Sequence, residues 1–91
     1  MMWKRKDSLP DEALPEGLCA LNDLPSGASA VVRRLVGGKS VAARLSILGL
    51  NTGAHLTVVQ NYGRGPLILL VRSSRVALGR GEAQKIQVEA L

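Results

Sequence analysis

Apolar positions recur every second residue along most of this chain and every third or fourth in one short stretch, which predicts several β-strands and a single helix. Strands are expected over residues 18–21, 28–36, 54–60, 66–72, 75–78 and 85–89. In the strand over 54–60, Leu56 and Val58 fall on one face and His55, Thr57 and Val59 on the other. In 85–89, Ile86 and Val88 point inward and Lys85, Gln87 and Glu89 outward. The run Leu67-Ile68-Leu69-Leu70-Val71 is apolar on both faces, so both faces are expected to be covered. Arg33 and Arg34 are strand neighbours and face opposite ways, which puts one of them at a rim or an edge.

The helix is expected over residues 39–48. Val41, Leu45 and Leu48 fall at i, i+4 and i+7 and share one face. Ala42 and Ala43 favour helix, and Ser40 or Gly38 is placed to cap its start. Gly49 suits the left-handed position that ends a helix, and Leu50 is then placed to fold back on it, as in a Schellman stop. Turn residues punctuate the rest. These are Asn22 to Gly27, Gly37-Gly38, Thr52-Gly53, Asn61 to Gly65 and Ser73-Ser74, while 79–84 reads as a loop or one helical turn. Several short strands in so small a chain cannot leave open sheet edges without an aggregation risk. The expected fold is therefore mainly β, a small SH3-like β-barrel with one inserted short α-helix.

Composition sharpens this picture in three ways. The chain has 91 residues, enough for one domain, and no Phe, with Trp3 and Tyr62 as its only aromatics, so the core must be aliphatic. The single cysteine, Cys19, forms no internal disulfide, and no apolar run approaches the ~20 residues that span a bilayer. No apolar segment follows the basic start, so the N-terminus does not read as a secretory signal, and a cytoplasmic protein is expected. Residues 1–17, with four acidic and three basic side chains, Pro10 and Pro15, read as a flexible tail of net charge −1. Residues 18–91 read as the domain, with nine Lys/Arg against three acids, net +6. A basic folded part favours an acidic partner surface, nucleic acid or anionic lipid headgroups, or serves solubility alone.

Candidate chemistry is sparse. Gly37-Gly38-Lys39-Ser40 matches the tail of a phosphate-binding loop, but the first glycine of that pattern is replaced by Arg33, so nucleotide binding is rejected. Gly63-Arg64-Gly65 and Gly79-Arg80-Gly81 lack the third glycine of a dinucleotide loop and read as turns. His55 and Cys19 are the only strong transition-metal candidates and lie far apart, so no metal site and no cofactor are expected. The serines have only His55 as a possible base, so no catalytic residue is assigned and an enzyme is not expected. Single-strand nucleic-acid binders stack bases on several aromatic side chains, and Tyr62 alone, in a loop, is weak evidence for such a surface, so no nucleic-acid partner is expected. A basic adaptor using Arg33, Arg34, Arg64, Arg72 and Arg75 is the alternative reading.

The order of motifs is informative. A short strand leads to Leu24-Pro25-Ser26-Gly27, a Val-rich strand and Arg44-Leu45-x-x-Leu48-Gly49-Leu50-x-x-Gly53. Gly65-Pro66-Leu67 then opens an apolar strand, and Val76-Ala77-Leu78-Gly79-Arg80 leads to Ala83-x-x-Ile86-x-Val88. Over residues 18–90 the chain resembles FeoA, the small cytosolic accessory protein of bacterial ferrous iron transport. The family often has Met where this chain has Leu48, a volume-conserving change. The tail of residues 1–17 lies outside the family pattern, and without a helix-turn-helix segment the chain is not one of the metal-dependent repressors that end in the same fold. The resemblance implies an SH3-like barrel that binds and regulates the FeoB-type transporter, which has a cytoplasmic GTPase domain. A monomer or weak homodimer is expected, because an uncovered edge strand would allow self-association, and the protein is expected in the cytoplasm, brought to the inner membrane by its partner. The contact residues expected from the amphipathic helix and its stop are Arg44, Leu48, Leu50 and Asn51.

Overall fold

The computed structural model describes residues 17–91. The tail expected over 1–17 lies, apart from Gly17, outside the described residues. Six strands form one antiparallel sheet: β1 (Cys19–Ala20), β2 (Ser29–Leu35), β3 (His55–Gln60), β4 (Leu67–Val71), β5 (Ser74–Leu78) and β6 (Ile86–Ala90). Their order is β1-β6-β2-β3-β4-β5. A 3₁₀ turn over Leu21–Asp23 follows β1, helix α1 (Gly38–Ile47) connects β2 to β3, and the one-turn helix α2 (Arg80–Ala83) leads into β6. The sheet curls around an aliphatic core that draws on every strand but β1, and on both helices. Its two ends, β1 and β5, do not pair with each other among the described residues, so the barrel is partly open.

Two bulges help bend the sheet. The β2–β6 register slips between Val32 and Arg34, and the β3–β4 register slips between Val58 and Gln60. An extra residue in one strand kinks it and increases its twist. The first bulge corrects the expectation that one of Arg33 and Arg34 sits at a rim or an edge. Both are exposed, because Arg33 is the extra residue and strict alternation stops there. Arg33 Nε lies 2.9 Å from Glu89 Oε1 on β6.

Two further expectations are corrected. Gln87 is not outward-facing but only 4% exposed. It lies on β6, the strand between β1 and β2, opposite Ala20 and Arg34, and the 3₁₀ turn packs against β6. The outer face of β4 is only partly covered: Leu67, Leu69 and Val71 are in the core, Ile68 is half-buried and Leu70 is 39% exposed on the outer face.

Helix α1 starts one residue earlier than expected, and its cap is neither Ser40 nor Gly38 but Gly37, at φ 119°. A Cβ there would lie 2.7 Å from Val41 Cγ2, so only glycine lets Val41 seat in the core. The β4–β5 turn is also one residue earlier than expected. It is formed by Arg72 and Ser73, both with positive φ, at 52° and 69°.

Candidate partner-binding surface

The stop of α1 is built from two backbone hydrogen bonds. Leu50 N–H donates to the Leu45 carbonyl at 2.9 Å, and Gly49 N–H donates to the Ser46 carbonyl at 2.9 Å. This is the Schellman arrangement expected from the sequence, with Gly49 at φ 86° in the left-handed position. Leu45 and Leu50 are both fully buried in one core cluster, in keeping with the apolar pairing that often accompanies this stop. The turn that follows is fastened to β2, since Gly53 N–H donates to the Val32 carbonyl at 2.7 Å. Within the turn, Ala54 N–H donates to the Asn51 carbonyl at 2.9 Å. A rigid platform results at the end of the helix.

The platform displays a mixed surface. Ile47 is 85% exposed and Leu48 36% exposed. Asn51 is exposed in the turn, and Arg44 is exposed one helical turn before Leu48. Arg44 Nη2 lies 2.6 Å from Glu82 Oε2 on α2, so this ion pair ties the two helices together at the surface. Among the described residues, no other acceptor is bonded to the guanidinium.

Of the four expected contact residues, Arg44, Leu48 and Asn51 lie at this surface. Leu50 does not: it is 0% exposed and belongs to the core cluster, where the Schellman stop folds the chain back after α1. Ile47 takes its place as the exposed apolar residue. Its signal was present in the sequence, as an apolar residue off the stripe formed by Val41, Leu45 and Leu48.

A second constellation joins the loop after β3 to the 3₁₀ turn. The Asn61 side-chain amide donates to the carbonyls of Asn22 at 3.2 Å and Leu24 at 2.7 Å. Its oxygen accepts from Gly63 N–H at 3.0 Å and from the Arg80 guanidinium. This network holds loops and offers no reacting group.

No group of three or more His, Cys, Asp or Glu able to hold a metal ion is found among the described residues. His55 lies on β3 and Cys19 on β1, with β6 and β2 between their strands. Burial, with the Asp23 carboxylate as a smaller cause, pushes the Cys19 thiol above its ordinary pKa, so it is a poor thiolate at neutral pH. A shallow groove of about 270 Å³ on the outer face is lined by His55, Thr57, Leu70 and Arg72, among others. No helix among the described residues is long and apolar enough to cross a membrane.

These features define a small SH3-like module with a displayed surface and no assembled reactive centre among the described residues. The FeoA domain family matches residues 19–90. A protein of Methanocaldococcus jannaschii named for a role as Fe(2+) transport protein A is 38% identical over 63 residues, 69% of this chain and 76% of that protein. A crystal structure of an iron uptake regulatory protein, FeoA, superposes with a TM-score of 0.77 at 30% identity, covering 81% of this chain and 97% of that one. The zinc complex of Stenotrophomonas maltophilia FeoA, described as a prokaryotic SH3 domain protein, gives 0.66 at 32% identity, over 76% of this chain and 87% of that one. The chain belongs to the FeoA family, the accessory proteins of ferrous iron transport.

Proposed function

We propose that this chain is a cytoplasmic regulator of ferrous iron uptake that docks on the FeoB-type transporter and modulates it without catalysing a reaction. The observation that carries this reading is the platform at the end of α1, where exposed Ile47 and Leu48 sit beside Arg44 on a backbone fixed by two hydrogen bonds. An apolar centre flanked by arginine suits the core of an interface, which is more apolar than the rest of the surface and in which arginine is enriched. The relatives named for iron uptake regulation and Fe(2+) transport supply the pathway. A role in activating ferrous iron transport has been raised for the Stenotrophomonas maltophilia protein. Arg44 is offered as the charged contact, Ile47 and Leu48 as the apolar anchor, and Asn51 as a polar contact at the rim.

The test is calorimetry of the full chain against the cytoplasmic part of a cognate transporter, with and without a GTP analogue. Saturable binding that depends on the nucleotide is expected. Arg44→Glu should abolish it while the thermal transition stays within a few degrees, since an exposed ion pair contributes at most about 1 kcal/mol. The exchanged pair, Arg44→Glu with Glu82→Arg, restores the tie between α1 and α2 but not the charge offered to the partner. If the exchanged pair binds as the parent does, Arg44 acts only as a tether and is removed from the contact set. Absence of any binding, with salt-sensitive binding to mixed nucleic acid instead, would replace the proposal with the basic-adaptor reading.

A further inference from the structure

The strand β5 forms one end of the sheet, and among the described residues nothing pairs with its outer side. Five consecutive pairs join it to β4, from Leu67 opposite Leu78 to Val71 opposite Ser74, with no slip in register. A two-residue hairpin turn closes on a hydrogen-bonded pair, here Val71 and Ser74, and hydrogen-bonded and non-bonded pairs then alternate. Val76 and Leu78 therefore bond to β4, while Arg75 and Ala77 face theirs without bonding. The N–H and C=O groups of Arg75 and Ala77 consequently point away from the sheet, two donors and two acceptors in strand spacing.

Edges that must stay unpaired are blunted by proline, a bulge, an inward-pointing charge or extreme shortness. The edge at β5 has none of these, and of the edge charges that also discourage pairing it carries a single one: it is five residues long, regular and free of proline, with apolar Val76 and Leu78 on its inner face. Its one charge is Arg75, exposed on the outer face opposite Leu70. The surrounding sequence is uniformly basic. Residues 61–81 contain Arg64, Arg72, Arg75 and Arg80 and no Asp or Glu.

We propose that β5 is a docking edge for an extended acidic segment of a partner protein, which adds as a further antiparallel strand and sets its carboxylates against Arg75 and Arg72. Main-chain bonds to Arg75 and Ala77 supply affinity, and the arginines supply the choice of partner. A DNA backbone presents only acceptors and cannot satisfy the two carbonyls, and an RNA backbone offers donors only at its 2′-hydroxyls, without the alternating donor–acceptor pattern of a strand. A second copy of this chain is disfavoured, because pairing β5 with itself sets two Arg75 side chains close together on one face, and like charges opposed across strands destabilise the pair. The inference rests on the reading above that the chain works by docking on a larger protein, and it adds a second contact away from α1.

The test uses the full chain and a blocked peptide of alternating glutamate and valine, long enough to match β5, followed by amide hydrogen exchange. The amides of Arg75 and Ala77 should exchange freely without peptide and gain at least about tenfold protection with it. Arg75→Glu should weaken peptide binding at least about tenfold, the size of a hot-spot contact. Ala77→Pro, which removes an outward donor at an edge where proline is tolerated, should abolish the protection. No gain at these two amides overturns the proposal, as does equal binding by an oligonucleotide of matched charge. Protection already present in the free chain also overturns it, since the edge is then occupied by residues 1–16 or by a second copy, which sedimentation distinguishes. Calorimetry with the transporter separates the two readings. If Ala77→Pro binds it as tightly as the parent, the docking edge falls and the regulator stands. If the parent ignores the transporter while the peptide protects Arg75 and Ala77, the regulator falls and the edge stands.

Discussion

Single residues in left-handed backbone decide where this chain turns, and two of them make opposite predictions. Gly49 sits at φ 86°, and a Cβ there would touch Val71 Cγ1 at 3.4 Å. The space is tolerable, so the cost of a side chain is conformational. A β-branched residue in this region costs about 2–3 kcal/mol, a large share of the stability of a small domain. Gly49→Val should therefore lower the thermal midpoint by roughly 10 °C or more, and Gly49→Asn, which tolerates left-handed dihedrals, by clearly less. Equal losses in the two variants, measured by calorimetric melting, would mean that packing and not φ is the constraint. Ser73 is the converse case: φ is 69° at a residue that has a Cβ. Ser73→Gly should raise the midpoint by several degrees, because the second position of this hairpin turn is suited to glycine. A lower midpoint would show that chain entropy lost by adding a glycine outweighs the strain relieved.

At the scale of elements, the end of α1 separates surface from core within four residues. Ile47 is 85% exposed and Leu50 is 0% exposed. Ile47→Ser should change stability by no more than about 0.5 kcal/mol while weakening transporter binding at least about tenfold. Leu50→Ala should cost about 2–5 kcal/mol, and any binding it loses should track unfolding. Chemical denaturation alongside calorimetric binding checks both, and a binding defect confined to Leu50→Ala would relocate the contact. The same stretch shows what was legible in the sequence. The helix and its stop could be read directly, because they depend on residues within one turn of each other. The exposure of Ile47 was legible too, as an apolar residue off the stripe of Val41, Leu45 and Leu48, whereas Leu50 was assigned to the contact set although the same stop folds it back on the helix. Arg33, Gln87 and Leu70 were misplaced for another reason. Bulges and strand order are set by partners distant in sequence, as when β2 pairs with β6, and alternation within one strand carries no information about them. The strand β5 was found, but its place at the end of the sheet is a property of the assembled topology.

For the whole molecule, the decisive quantity is how its charge is distributed. The domain carries nine basic residues against Asp23, Glu82 and Glu89. Glu82 is paired with Arg44 and Glu89 with Arg33, so most of the acidic charge is already neutralised where it stands. Arg34, Lys39, Arg64, Arg72 and Arg75 are exposed, and a net positive field is spread over both the helix side and the β5 edge. Such a field steers encounter with an acidic surface and is screened over about 10 Å at 0.1 M salt. The apolar anchor at Ile47 and Leu48 acts after contact and responds little to salt. Raising salt from low to several tenths molar should therefore slow association with the transporter by at least about tenfold and change dissociation much less. Stopped-flow or surface-plasmon kinetics at three salt concentrations would measure this. An association rate indifferent to salt would place the binding energy wholly in the platform of α1 and leave the basic field to solubility. A dissociation rate that rises as steeply as association falls would instead mean that the arginines are buried, paired contacts in the complex, and Arg44, Arg72 and Arg75 would be the residues to exchange first.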